Sequence, residues 1–219
     1  MTPPPPPKPA APAATIHLVD DEAPVRDALG FLFQSHGLAV ATYASGPEFL
    51  ATVDAGPLAG CIVLDVRMEP LSGLQVHDLL VERGIGLPVL FLTGHGDIPM
   101  AVEALKKGAF DFVEKPFGDD ALVERVKRAL RVDAARQAAD SEGDERAARL
   151  ASLSEREREV MLRVAAGKLN KVIADELNIA VRTVEVHRAR VFGKLGVRSA
   201  AEVATLLAAS PSGGGIRRR

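Results

Sequence analysis

Five polar side chains in the first half of this 219-residue chain are of the types that phosphoryl transfer requires. They are three carboxylates, a hydroxyl and an amine: Asp20, Asp21, Asp65, Thr93 and Lys115. Three crowded carboxylates repel one another unless a hard divalent cation lies among them, and oxygen ligands of this kind suit Mg²⁺. With the cation and the lysine neutralising phosphoryl oxygens, a central carboxylate can attack a phosphoryl donor in line. The residue types therefore predict a magnesium-assisted phosphoryl acceptor, with Asp65 as the nucleophile.

Strands and helices must bring these residues together, and the sequence alternates between the two. Short apolar runs predict strands at 15–19, 38–43, 61–64, 88–92 and 110–113. The amphipathic segments that follow them, several opened by Pro and closed by Gly, predict helices at 23–36, 46–54, 73–83, 98–107 and 118–131. This alternation predicts an α/β doubly wound sheet of five parallel strands, covered by helices on both faces. Ligands bind beyond the carboxyl ends of such strands, which is where all five polar residues lie.

Each of these residues also has an ordinary structural interpretation. An Asp after a strand commonly caps the next helix, and Thr93 alone would be a turn hydroxyl. Lys115, which precedes Pro116, would be a surface charge on a rigid loop. The joint occurrence of complementary groups at four strand ends favours a functional site over these separate roles.

Four segments resemble a known family: VDDE at 19–22, LDVRM at 64–68, TGHGD at 93–97 and EKPF at 114–117. They are similar to the flavodoxin-like receiver domains of response regulators, specifically the FixJ-like branch. The resemblance implies that Asp65 accepts a phosphoryl group from a sensor histidine kinase. It also implies the ligands of Mg²⁺, which are the side chains of Asp20, Asp21 and Asp65 and the backbone carbonyl of Arg67. One departure is Glu69, which precedes Pro70 where the family usually has Pro directly after Met.

The same resemblance implies a conformational switch. Lys115 contacts the phosphoryl oxygens, Thr93 moves to bond the phosphoryl group, and Phe112 turns inward. The chemistry agrees, because an aspartyl phosphate adds negative charge that attracts a hydroxyl, and the vacated space admits an aromatic ring.

The C-terminal part of the chain predicts a small all-α domain of opposite charge. Residues 15–133 hold 18 Asp and Glu against 10 Lys and Arg, whereas residues 153–219 hold 7 against 13. Helices are predicted at 154–166, 170–177, 181–194 and 199–209. The second and third have the spacing of a helix-turn-helix, and their basic surroundings suit a polyanion, although a plain surface helix is the alternative on pattern alone. The core is expected from Val160, Val164, Ile173, Leu177, Val184, Leu195, Val203 and Leu206.

Three further segments, LSEREREV at 153–160, GKLNKVIADEL at 167–177 and TVEVH at 183–187, resemble the LuxR-type output domain. The resemblance implies binding to double-stranded promoter DNA. It places Glu185, Val186 and Ala189 at base edges and the following residues at the DNA backbone: Lys171, Arg182, Thr183, Arg188 and Lys194. A departure is Ala180, where the family usually has a Ser that caps the recognition helix, a loss of about 1 kcal/mol. Sigma-factor DNA-binding domains share this turn and are the rival interpretation.

Composition sets the remaining expectations. One cysteine, no Trp and one Tyr argue against an intramolecular disulfide, a Cys-based zinc finger and an aromatic stacking platform. Apolar stretches stay below the roughly 18 residues that cross a bilayer, so we expect a soluble, cytoplasmic protein with no membrane partner. The expected organisation is a disordered Pro-rich tail at 1–14, a receiver domain at 15–133, a partly helical exposed linker at 134–152, a helix-turn-helix domain at 153–209 and a disordered basic tail at 210–219.

These features predict a response regulator of the FixJ/NarL type rather than an enzyme. Phosphorylation of Asp65 is expected to drive homodimer formation and promoter binding, with RNA polymerase as a further partner. The nearest alternative is a DNA-binding regulator that works without phosphorylation. A phosphohydrolase of the aspartyl-phosphate type is disfavoured, because Arg67 stands where such an enzyme needs a second Asp.

Overall fold

The structure is a computed structural model that describes residues 13–94 and 98–208. It divides into two compact units, Met1–Gln137 and Ala138–Arg219, here called the N-terminal and C-terminal units. The predicted tail at 210–219 and all but the last two residues of the tail at 1–14 lie outside the described residues. Among the helices described, none combines the length and apolar character needed to cross a membrane.

A parallel sheet forms the centre of the N-terminal unit. Its strands, as described, are β1 (Thr15–Val19), β2 (Val40–Tyr43), β3 (Gly60–Asp65), β4 (Val89–Thr93) and β5 (Asp111–Glu114). Their order across the sheet is β2-β1-β3-β4-β5, and every neighbouring pair is parallel. The predicted doubly wound sheet of five parallel strands is therefore confirmed.

Five helices connect and follow these strands in the part of the chain described. They are α1 (Ala23–Ser35), α2 (Gly46–Ala55), α3 (Gly73–Glu82), α4 (Ile98–Lys106) and α5 (Asp119–Ala151). Local sequence explains their starts, since Ser45 accepts a hydrogen bond from the Glu48 N–H and Ser72 forms a capping box with Gln75.

Alternate residues of the central strands feed two separate apolar layers. Ile62 and Leu64 of β3 pack with the buried residues of α2, α3 and α4, whereas Cys61 and Val63 pack with those of α1 and α5. Because side chains alternate across a strand, burial of all six β3 residues requires helices on both faces. This packing fixes the carboxyl end of β3, where Asp65 lies.

Helix α5 is longer than the sequence predicts. The prediction ends this helix at 131 and makes 134–152 a partly helical linker, whereas the helix continues to Ala151. The additional residues are mostly Ala, Arg, Glu and Asp, lack proline and include one glycine, so intrinsic propensity sustains a helix without an apolar stripe. An ion pair of 3.6 Å between Glu145 and Arg149, one helical turn apart, adds to this propensity.

The C-terminal unit packs four further helices around one apolar cluster. These are α6 (Glu155–Ala165), α7 (Asn170–Leu177), α8 (Val181–Leu195) and α9 (Ala200–Ala208). Seven of the eight predicted core residues are buried, and Leu206 is partly buried against the same cluster. Helix α7 ends at Leu177, and the left-handed backbone of the next residue, Asn178 (φ 50°), starts the turn to α8.

Candidate functional site

Three of the five predicted side chains meet at the carboxyl edge of the sheet. The Lys115 Nζ donates a hydrogen bond to Asp65 Oδ1 at 2.7 Å and lies 3.4 Å from Asp20 Oδ2. These residues end or follow strands β5, β3 and β1, so the sheet topology accounts for their meeting. The N–H of Lys115 also donates to the Thr93 carbonyl at 2.7 Å, which fixes the start of the lysine side chain.

The Asp65 carboxylate is held at both oxygens. Its Oδ2 accepts a hydrogen bond of 2.7 Å from the Arg67 N–H, while Oδ1 is bonded to Lys115. The sequence reading missed Gly73 at the start of α3, which passes so close that an added Cβ would lie 2.1 Å from the Asp65 carbonyl oxygen. Its signal is a glycine at the first position of a predicted helix, one residue after the Ser72 cap.

Asp20 is the more deeply buried carboxylate, with 1% of its surface exposed. Its Oδ1 accepts a hydrogen bond from the Glu22 N–H at 2.9 Å, and Arg26, another residue the sequence reading missed, donates to its backbone carbonyl at 2.7 Å. Burial raises the pKa of Asp20, and the nearby Asp65 charge raises it further, against the opposing effects of the Glu22 N–H and Lys115. A cation at this carboxylate would stabilise its charged form.

Lys115 has a pKa above its ordinary value. Partial burial acts to lower the pKa, but the hydrogen bond and charge of Asp65, together with the charge of Asp20, outweigh burial. The amine therefore carries a full positive charge, of the sign that transferring phosphoryl oxygens require.

Asp21 does not join this cluster. Its side chain is exposed, whereas that of Asp20 is buried, because Asp21 lies in the bend that follows β1. Within residues 13–94 and 98–208, no group of three or more His, Cys, Asp or Glu side chains is arranged to hold a metal ion. The expected crowding of three carboxylates is therefore corrected to a pair around Lys115, Asp20 and Asp65, whereas the role of Asp21 as a ligand of Mg²⁺ stays a prediction.

The donors that remain still fit Mg²⁺. This ion keeps several waters in proteins and binds through one or two carboxylates, together with phosphate oxygens, rather than through a complete protein cage. Two carboxylates at one sheet edge, beside the backbone of Arg67, offer hard oxygen donors of that kind. The site suits a hydrated hard dication better than a soft or tetrahedral metal.

The two predicted switch residues lie on neighbouring strands. Thr93 is buried at the end of β4, where its hydroxyl donates to the Gly94 carbonyl at 3.2 Å. Phe112 is half-buried on β5, opposite Phe91, and the two ring centres are 6.1 Å apart. Phe91 and Thr93 are two residues apart on β4 and so share a face of the sheet with Phe112. His95, Gly96 and Asp97 of the TGHGD segment lie outside the described residues.

Helices α7 and α8 with the turn at 178–180 form the predicted helix-turn-helix. Val184, Val191 and Leu195 of α8 are buried in the unit core, so the opposite face of α8 is open to solvent. Ala180 precedes α8 without a side-chain acceptor, as the sequence predicts, so the first-turn N–H groups are not capped from that position. Backbone donors at a helix start suit phosphate.

Most predicted DNA contacts are exposed. The exposed members are Lys171, Arg182, Thr183, Glu185, Val186, Ala189 and Lys194. Arg188 is half-buried: its guanidinium donates to the Asn170 side chain at 2.9 Å and lies 5.4 Å from the Phe192 ring centre. Lys194 binds within its own unit, at 2.6 Å from Glu157 Oε2 and 2.9 Å from the Ser152 carbonyl.

Glu157 is a buried acid that the sequence reading missed. Hydrogen bonding to Lys194 and to the Ser154 N–H lowers its pKa to about 2, although burial acts in the opposite direction. The signal was present as a capping box, Ser154 followed three residues later by Glu157. Lys194 therefore stabilises the fold of the unit through this ion pair.

Comparisons with known proteins agree with this geometry. Residues 16–127 match the response regulator receiver domain, and residues 151–207 match the luxR family of bacterial regulatory proteins. The chain is 52% identical over 196 residues to the C4-dicarboxylate transport transcriptional regulatory protein DctR of Rhodobacter capsulatus, covering 88% of this chain and 98% of that protein. It is 45% identical over 185 residues to the transcriptional regulatory protein FixJ of Rhizobium meliloti (strain 1021), covering 84% and 90%.

A solved structure is similar over most of the chain. The response regulator StyR superposes with a TM-score of 0.82 at 38% identity, covering 89% of this chain and 98% of that one. The family and fold class predicted from the sequence are confirmed. The chain belongs to the response regulators and is a transcriptional regulator that joins a receiver domain to a LuxR-type DNA-binding domain.

Proposed function

We propose that phosphoryl transfer to Asp65 controls binding of this regulator to promoter DNA. The observation that carries the proposal is the contact of 2.7 Å between Asp65 Oδ1 and the Lys115 ammonium, beside the buried Asp20. A nucleophilic carboxylate and a fixed positive charge lie where a phosphoryl group can be accepted.

The reaction is an in-line displacement. One oxygen of Asp65 attacks the phosphorus of a phosphohistidine in a sensor histidine kinase, the P–N bond breaks, and the imidazole leaves with the electron pair. Lys115 exchanges its bond to Asp65 for one to a phosphoryl oxygen. Asp20, Asp21, Asp65 and the Arg67 carbonyl would hold Mg²⁺, which would further neutralise the phosphoryl charge when bound.

The change in DNA binding follows from the negative charge of the phosphoryl group on Asp65. Thr93 moves to donate its hydroxyl to the phosphoryl group, and Phe112 turns toward the space that Thr93 leaves. Both residues share a sheet face with the core that α4 covers, so their movement reaches the surface of the receiver domain. We infer that this surface then pairs two copies of the chain.

The DNA interface is the exposed face of α8. Glu185, Val186 and Ala189 face base edges in the major groove, and Lys171, Arg182 and Thr183 lie toward the phosphates. Arg188 and Lys194 are also proposed to reach phosphates. To do so, Arg188 must keep or exchange its contact with Asn170, and Lys194 its contact with Glu157. The proposed domain boundaries are 15–133 for the receiver and 153–209 for the DNA-binding domain, joined through 134–152.

The proposed cellular location follows from the proposed partners, which are promoter DNA and a histidine kinase. A promoter-binding bacterial regulator acts in the cytoplasm, where the promoter, the kinase domain and RNA polymerase are accessible. The chain itself acts as a switch that turns over no metabolite, because its one chemical step modifies its own Asp65.

Promoter affinity before and after phosphorylation tests the proposal. The full-length protein, treated with acetyl phosphate in Mg²⁺ or left untreated, is titrated onto promoter DNA at one fixed salt concentration, since affinity depends strongly on salt. Tighter binding of the treated protein supports phosphorylation control. Equal affinity for both would contradict it and support a regulator that works without phosphorylation.

A further inference from the structure

The exposed face of α8 carries one negative charge among basic and small residues. Of the 15 residues of this helix, Glu185 is the one acid, and it lies between Arg182 and Ala189 on the face opposite buried Val184 and Val191. An acid on a DNA-facing surface is repelled by phosphates, so its position there needs a specific favourable contact.

Contacts within the protein satisfy this carboxylate weakly. Its charged neighbour Arg182 is 3.9 Å away at the edge of ion-pair distance, and the Arg182 side chain is 91% exposed. Half of the Glu185 side chain is exposed. An exposed pair of this kind contributes little to stability, so the carboxylate is available to a donor outside the protein.

The surrounding surface allows close approach to a groove. Ala189, one turn after Glu185, is small and exposed. One further turn on, a Cβ added at Gly193 meets no atom within 4 Å in the described part of the chain. The helix can therefore lie deep enough for the carboxylate of Glu185 to reach base edges.

Base chemistry selects one partner for a carboxylate. Guanine offers only acceptors in the major groove, thymine offers an acceptor and a methyl group, and adenine places its N7 acceptor beside its amino group. Cytosine offers an amino group, N4–H₂, as donor. On the basis of the proposed DNA binding, we propose that Glu185 reads cytosine through this amino group and rejects the other three bases at that position.

The test is selection of bound sites from a random DNA pool, using the full-length protein treated with acetyl phosphate in Mg²⁺. Wild type, Glu185→Gln and Glu155→Gln are compared, the last removing an exposed acid from the first turn of α6. Wild type and Glu155→Gln are expected to select cytosine at one position of each half-site. Glu185→Gln is expected to prefer adenine there, because a glutamine amide pairs with adenine N6 and N7, with a change in relative affinity of about tenfold or more.

Two outcomes overturn the inference in different ways. If Glu185→Gln and wild type select the same base at every position while both bind specifically, Glu185 does not read a base, and the proposed function stands. If wild type selects no sequence at all, the proposed promoter binding fails, and the inference fails with it.

Discussion

The Lys115 ammonium lies 2.7 Å from Asp65 Oδ1, although 50 residues separate the two in the chain. Strand β4 lies between the strands that carry them, so the lysine side chain spans the end of β4 to reach the carboxylate. The backbone bond from Lys115 to the Thr93 carbonyl fixes this reach. Two hydrogen bonds of Lys115 thus connect the predicted nucleophile and the positive charge to the end of β4, which carries the switch hydroxyl.

Replacing the lysine tests whether this charge assists phosphoryl transfer. We expect Lys115→Met to lower the initial rate of phosphoryl uptake from acetyl phosphate by about a hundredfold or more, because a preorganised charge is lost from the transition state. Lys107→Met, which breaks an ion pair between the turn after α4 and Asp78 of α3, serves as the matched control. Equal rates for Lys115→Met and the control would show that the lysine has no part in the reaction.

Gly73 makes the position of Asp65 sensitive to a single methyl group. In Gly73→Ala the new Cβ would meet the Asp65 carbonyl oxygen at 2.1 Å, a backbone atom that cannot swing aside. We expect a loss of about 2 kcal/mol in the free energy of unfolding, and slower phosphoryl uptake, because the strand end must shift. Gly56→Ala, where the added Cβ meets nothing within 4 Å in the described residues, should leave both unchanged. Wild-type stability of Gly73→Ala in urea unfolding would refute the steric argument.

Replacing Thr93 tests the gain in promoter affinity separately from uptake of the phosphoryl group. We expect Thr93→Ala to take up a phosphoryl group but to lose most of the gain in promoter affinity, since the hydroxyl that senses the new charge is absent. The measurement is the ratio of DNA dissociation constants without and with acetyl phosphate. Thr52→Ala, which changes a half-buried threonine on α2, is the control. If Thr93→Ala keeps the full gain in promoter affinity, the Thr93 hydroxyl has no part in the switch.

The Glu157–Lys194 pair predicts a pH dependence in the C-terminal unit. The folded pKa of about 2 lies below the ordinary value of 4.5, so the stabilisation is complete above pH 4.5 and is lost as the pH falls toward 2. We expect Glu157→Gln to lower the opening free energy of α6 and α8 amides by about 2 kcal/mol at neutral pH. In this variant the opening free energy should also depend less on pH between pH 2 and pH 4.5.

Amide hydrogen exchange of the full-length protein measures this opening, because it reports on the two helices separately from the receiver domain. Glu155→Gln changes an exposed acid in the same first turn and should retain the wild-type dependence. If Glu157→Gln exchanges like wild type across this range, the ion pair does not stabilise the unit.

The sheet and the residues at its edge could be predicted because they depend on local patterns. Apolar runs of β3 and β4 mark buried parallel strands, and the strand ends then place Asp65 and Thr93 at the same edge. The interior faces of α6 to α9 follow from helical periodicity in the same way.

Contacts between distant residues could not be predicted, because periodicity reports which side chains are buried but not which partner each one meets. Lys194 looks like a DNA-facing lysine in sequence, yet its partner Glu157 is 37 residues away. The exposure of Asp21 depends on the turn after β1. The length of α5 depends on helix propensity in a segment that has no apolar stripe.

The site of phosphoryl uptake tests the proposed role of Asp65 most directly. Full-length wild type, Asp65→Asn and Asp54→Asn are incubated with acetyl phosphate and Mg²⁺, and the intact mass of each is measured. Asp54 is an exposed acid of α2 that pairs with Arg83, so its variant controls for loss of a carboxylate. We expect one added phosphoryl group on wild type and on Asp54→Asn and none on Asp65→Asn. Undiminished uptake by Asp65→Asn would contradict the proposed role of Asp65.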